Sequence, residues 1–371
     1  MKLFKCNNCG QPVYFENYAC LKCNAPLGFD PQQMDVLALL KQEISIPGQE
    51  AAGQEQVQGQ MPYAILNKEE QSGQLYKYCS NKNYNVCNWL LPFDSEKEFC
   101  VACNLNQTIP DLSTPDHLEK WGRIEAAKHR LVYSLLRFKL RVISKFDDED
   151  QGIAFNFMSD DAAGTHLLTG HDHGLITLNI AEADDVILEM ARNQMEEVYR
   201  TLLGHFRHEI GHYYWERLIE NTDRLQSFRQ LFGNETINYG EALKAHYAKP
   251  HSNDWQNNFI SAYAASHPWE DWAETWAHYL HIIDTMETAY SFGLSVKPRV
   301  AGQADELNAK LNIDPYNTKS FEEIIERWLP LSYVMNSLNR SMGLKDSYPF
   351  VINDAVKEKL AFIHKTIRVN N

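Results

Sequence analysis

The run His208-Glu209-Ile210-Gly211-His212 restricts what this chain can fold into more than any other stretch. Residues four apart lie on one face of a helix, so His208 and His212 can offer ring nitrogens to one cation. Glu209, one position on, points beside that cation and can take a proton from a water. Its surroundings (Leu203, Phe206, Ile210, Tyr213, Tyr214) are apolar nearly all round. Such a helix is buried, and buried imidazoles and carboxylates need partners. A solvated helix with two idle histidines is the weaker reading.

Partners are available in His267-Pro268-Trp269-Glu270-Asp271-Trp272-Ala273-Glu274-Thr275-Trp276-Ala277-His278. This stretch reads as a helix with Pro near its start. Glu270 and Glu274 are four apart, hence on one face. A three-ligand zinc needs one more donor, and ligating histidines need acceptors for their outer N–H groups. Glu270 as ligand and Glu274 as acceptor meet both needs. A metzincin pattern is excluded, because Trp215 and Leu218 stand where its Gly and third His belong. Tyr263 and His267 are the candidates for a donor that helps stabilise an oxyanion. Tyr263 is preferred, because a phenol is neutral at pH 7, whereas His267 precedes Pro268 and suits a capping or turn role.

Eight cysteines fall into two sets. Cys6-x-x-Cys9 and Cys20-x-x-Cys23 form two knuckles that together present four sulfurs to a tetrahedral ion. Tyr14, Phe15 and Leu21 are the expected small core of residues 1–30, too small to fold without zinc. Cys79, Cys87, Cys100 and Cys103 fit a second zinc site in residues 62–112, with one irregular loop and Trp89, Leu90, Leu91 and Phe93 as apolar support. Between them, 31–61 is rich in Gln and reads as a linker, with a short helical piece at Met34–Leu40. Residues 113–371 remain for a catalytic domain.

Within that domain, Ser113-Thr114-Pro115-Asp116 opens a helix expected to reach Val142, with its basic residues on a solvated face. Ile153–Met158 and Leu175–Ile180 read as strands, joined through a polar turn at Gly170–Gly174. Leu175–Ile180 is the expected cleft-edge strand, where an extended peptide could add. Helices are expected from Asp185 through the HExxH motif to Ile219, over Tyr239–Tyr247, from the capping box at Ser320-Phe321-Glu322-Glu323 to Gly343, and after Asn353.

The cysteine pairs, the stretch Tyr199–Trp215 and the stretch His267–Tyr279 together resemble a bacterial family of zinc-binding metallopeptidases with an N-terminal zinc ribbon. The catalytic half is similar to the wider gluzincin clan. The resemblance covers essentially the whole chain and implies an α+β, zincin-like catalytic domain, mostly helical with a small β-sheet. It supplies no substrate.

A net charge of −14 argues against nucleic acid or an anionic membrane as partner. No run of 18 apolar residues and no signal-peptide core are present, so a cytoplasmic location is expected, where cysteines hold metal. The expectation is a zinc peptidase with one catalytic and two structural Zn²⁺. His208, His212 and Glu270 would hold the first, Glu209 would be the general base, and a peptide or protein would be the substrate. The ribbons could recruit a protein partner. A non-catalytic peptide-binding protein and a zinc hydrolase of a non-peptide amide are the alternatives; an intact Glu209 speaks against the first.

Overall fold

The computed structural model describes residues 1–42, 61–66, 73–160, 169–184, 186–188, 201–248, 253–299 and 307–369. Most of the Gln-rich segment and the helix expected ahead of the HExxH motif lie outside them.

The N-terminal half is built on strands. β1 (Phe4–Lys5) pairs with β2 (Pro12–Val13) beside the first cysteine set. A five-stranded antiparallel sheet follows in the order β3 (Leu27–Asp30), β4 (Asp35–Lys41), β5 (Tyr63–Ile65), β6 (Leu75–Tyr78), β7 (Leu90–Pro92). The piece expected to be helical, Met34–Leu40, is therefore mostly strand β4. Four consecutive buried residues, Val36 to Leu39, are too apolar for a linker and too short for a helix, and sheet pairing on both sides satisfies their backbone.

The expected core of the first cysteine module also differs. Phe15 is buried, but Tyr14 is 63% and Leu21 95% exposed. Phe15 packs instead on Phe29 (4.7 Å between centroids) and on Tyr133 of the first long helix (5.4 Å). Phe29 in turn packs on Trp89 at 4.7 Å. A module too small for its own core has borrowed one, and its apolar cluster runs without a break into the C-terminal half.

After β8 (Asn106–Thr108), helix α1 spans His117–Arg137. It starts later than expected, because Asp111 bonds Ser113 into a turn and Asp116 takes a left-handed conformation (φ 66°). It stops short of Val142 at Phe138, with Lys139 left-handed (φ 55°). One of its basic residues is not solvated: Lys128 is fully buried, 2.8 Å from Glu125.

A four-stranded sheet has the order β10 (Gly170–Asp172), β11 (Leu175–Asn179), β9 (Ala154–Met158), β8. Thus β11, the expected cleft-edge strand, pairs antiparallel with β10 and parallel with β9. The turn residues Gly170–Asp172 form a strand of their own and take the edge.

The remainder is mainly helical: α2 (Leu202–Leu218), α3 (Leu225–Phe232), α4 (Tyr239–Ala248), α5 (Pro268–Ser291), α6 (Phe321–Ser341) and α7 (Asp354–Val369), with a small hairpin of β12 (Ser295–Val296) and β13 (Ala309–Lys310). The chain is α+β, with a helical C-terminal domain behind cysteine-bearing modules. Among the described residues no helix is long and apolar enough to cross a membrane.

α2 and α5 form the most extensive helix pair. Gly211 is why they come so close. A Cβ there would meet Ala273 Cα at 3.1 Å and Trp276 Cβ at 3.2 Å. The Trp272 indole N–H also donates to the Gly211 carbonyl at 2.8 Å, across the crossing.

Candidate active site

Both site helices have firm starts. Thr201 caps α2 by accepting from Gly204 N at 3.0 Å. His267 caps α5, its Nδ1 accepting from Trp269 N at 3.0 Å, with Pro268 in the first turn. These starts set the rotation of each helix, and the Gly211 contact sets their separation.

The result is a triangle of donor atoms. His208 Nε2 lies 2.9 Å from Glu270 Oε2 and 3.2 Å from His212 Nε2, and His212 Nε2 is 3.6 Å from Glu270 Oε2. Tetrahedral zinc with bonds of about 2.1 Å has edges of about 3.4 Å, so the triangle is of the right size. All three residues are buried, and Glu270 Oε2 has no hydrogen-bond partner in the chain. An ionised carboxylate oxygen with no donor is what a cation would satisfy. Burial alone would push His208 down, yet the carboxylates of Glu270 and Glu274 push it well above the usual imidazole range. The pull that favours a proton there favours a dication equally.

The supporting contacts fall where the spacing placed them. His208 Nδ1 and Glu274 Oε1 are 2.8 Å apart, and Ser261 Oγ donates to Glu274 Oε2 at 2.7 Å. The ring is thereby fixed with Nε2 facing inward. Glu209 is buried beside His208.

Of the two donor candidates, His267 is spent: besides the cap, its Nε2 lies 3.2 Å from the Ile237 carbonyl. Tyr263 stands next to the centre, its ring centroid 5.9 Å from that of His208. Burial, with Glu270 and Tyr239 beside it, pushes its phenol far above the usual range and keeps it neutral.

Three contributors were not foreseen, Ser261 among them. Tyr239 OH donates to Glu270 Oε1 at 2.7 Å, and the Trp269 ring lies 4.0 Å from the His212 ring. Tyr239 is 31 residues from its partner, and no local periodicity links them. The repeated tryptophans of the α5 segment were the only hint of Trp269.

Both cysteine sets converge. Cys6 and Cys23 sulfurs are 3.7 Å apart, Cys9 and Cys20 3.6 Å, Cys87 and Cys100 3.8 Å. Zinc–sulfur bonds of about 2.3 Å imply edges of about 3.8 Å, and all eight thiols are unbridged. Backbone N–H groups of Trp89, Cys100 and Cys103 point at Cys87, Cys79 and Cys100 sulfurs at 3.4 Å each, donors that favour thiolate. Cys103 also touches Glu125 and His129, at 3.7 Å each. The Lys128 ammonium beside Glu125 supplies that group's positive charge.

Comparison with known proteins finds two matching regions. Residues 117–366 match the family model described as "Putative zinc-binding metallo-peptidase", and residues 3–114 match a zinc-ribbon domain. Uncharacterized proteins of Mycobacterium bovis and of two strains of Mycobacterium tuberculosis are each 40% identical over 368 residues, covering 99% of this chain and 95% of theirs. No solved structure matches.

Proposed function

The chain belongs to the family of zinc-binding metallopeptidases, and we propose that it hydrolyses peptide bonds at the centre formed by His208, His212 and Glu270. The observation that carries this reading is the convergence of their three inward atoms within 2.9–3.6 Å, while Glu274 occupies the outer nitrogen of His208. These residues would hold a zinc ion, which supplies Lewis acidity toward a carbonyl and brings the pKa of water toward ~7.

The other steps belong to side chains of this chain. Glu209 accepts the proton of the attacking water and passes it to the leaving amine. Tyr263 donates to the oxyanion, since its phenol is neutral and adjacent to His208. Tyr239 holds one Glu270 oxygen, leaving the other free to bind metal. Ser261 and Glu274 keep His208 in one tautomer and one orientation. The two cysteine sets would each hold a structural zinc, which supports a count of one catalytic and two structural ions.

Comparing protein N-termini in cells carrying wild type or Glu209→Gln tests the reading. Peptides that appear only with wild type identify substrates. Glu209→Gln should then lose on the order of 10²-fold or more in rate on them, with its zinc retained. Equal cleavage by both proteins would refute the role given to Glu209.

A further inference from the structure

Beside the centre lies a pocket of about 320 Å³, lined by Trp215, Trp269, Tyr239, His267 and Glu235. Two of its lining side chains contact residues of that centre. Trp269 covers the His212 ring at 4.0 Å, and Tyr239 bonds Glu270 at 2.7 Å. Trp269 and Tyr239 are therefore shared by the pocket and the centre.

We propose that this pocket is the specificity subsite and that it takes a neutral aromatic side chain next to the scissile bond; this rests on the peptidase reading above. Three aromatic faces form its walls, with Trp269 6.4 Å from Trp215 and 6.1 Å from Tyr239 between centroids. Such walls suit either a flat apolar ring or a cation. The polar groups decide between them. Glu235, the acid on the wall, is gripped through both oxygens by Arg229, at 2.5 and 3.0 Å. Its charge is already answered, so an incoming lysine or arginine finds no free counter-ion. His267 has both nitrogens engaged, and the Tyr239 hydroxyl is given to Glu270. The indole N–H groups of Trp215 and Trp269 are buried without a partner in the chain and offer no acceptor. Both are donors, and a cationic side chain brings only donors. A neutral ring gains from the apolar walls and meets no such mismatch.

Calorimetry with the zinc-loaded wild-type chain tests this without any turnover. The probes are acetohydroxamate and the hydroxamates of alanine, phenylalanine, lysine and glutamic acid, which share one zinc-binding group and differ in side chain. Phenylalanine hydroxamate should bind roughly tenfold or more tighter than alanine hydroxamate, as expected for burying a ring. Lysine hydroxamate should bind no tighter than alanine hydroxamate. Trp215→Ala should erase the phenylalanine preference and leave acetohydroxamate affinity unchanged. Arg229→Gln, a change at a half-exposed side chain, frees the Glu235 carboxylate and should raise lysine hydroxamate affinity several-fold. Affinities independent of side chain, or a preference for lysine in wild type, would overturn the subsite while leaving the zinc centre standing. Failure of every probe, acetohydroxamate included, would instead overturn the centre on which the subsite rests.

Discussion

Tyr239 donates its phenolic hydrogen to Oε1 of Glu270 at 2.7 Å, so that Oε2, the oxygen facing His208 and His212, is left without a donor. One hydroxyl from a separate helix thus divides the carboxylate into a held oxygen and a free one. Tyr239→Phe should keep the fold and weaken zinc binding roughly 10- to 100-fold, as losses of such supporting contacts do. Competition with a chelator of known affinity measures it, and unchanged affinity would remove Tyr239 from the site.

Glu270 and Glu274 should differ in kind. Glu270→Ala deletes a ligand and should leave the centre empty after dialysis. Glu274→Ala deletes only the acceptor on His208 Nδ1 and should lower affinity by the same 10- to 100-fold as Tyr239→Phe. Zinc retained in Glu270→Ala but lost in Glu274→Ala would show the two roles to be reversed.

Tyr263→Phe should cut turnover by roughly one to three orders of magnitude with zinc content intact, the scale of one oxyanion donor. His267→Ala should do something else. It removes the cap on Trp269 N and should cost about 1 kcal/mol of stability, read by thermal melting. A turnover loss in His267→Ala larger than that in Tyr263→Phe would exchange the assignments.

The pH dependence of stability has a marked group in His364. Burial, with Arg368 nearby, lowers it from 6.5 to about 4. The unfolded chain therefore binds a proton below pH 6.5 that the folded chain refuses until about pH 4. Stability from this group is complete above 6.5 and is lost as pH falls through that window, at about 1.4 kcal/mol per pH unit. Wild type should lose its advantage over His364→Gln at this rate between pH 6 and 4.5 in urea titrations. Parallel pH curves would contradict it.

Elemental analysis should find three zinc ions per chain, one for each of the two cysteine sets and one for the histidine pair. The group of Cys103, Glu125 and His129 adds none, because the Lys128 ammonium lies 2.8 Å from Glu125. Cys103→Ser should lower the melting temperature of the catalytic helices along with the ribbon, since Trp89, Phe29, Phe15 and Tyr133 share one core. Two independent transitions, only one of them shifted, would show the cores to be separable.

The pairing of His208 with His212 and of Glu270 with Glu274 on one face each was legible because helical spacing is local and holds whatever the rest of the chain does. The cysteine sets were legible for the same reason, as tight knuckles with fixed reach. What local pattern could not show were partners set by tertiary packing. Tyr239 opens a helix whose periodicity says nothing of Glu270, and Ser261 stands in a turn that carries no periodic signal. Strand β11 was expected at the cleft edge, but the pattern of a strand says nothing about a short neighbour such as β10. Lys128 read as solvated because a buried lysine requires a partner, here Glu125, that lies on its own helix and looks equally exposed in sequence. The apolar run of β4 was masked by the Gln-rich stretch behind it.

The close approach at Gly211 has a consequence for time rather than for affinity. His208, His212 and Glu270 sit on two helices so close that a methyl group at Gly211 would press its neighbours aside, and none of them sits on a loop. No ligand can swing away from the ion by a loop opening. The crossing that carries them is tied further by the Trp272 bond to the Gly211 carbonyl. Metal exchange at such a centre would be coupled to the breathing of its helix pair rather than to the opening of a loop.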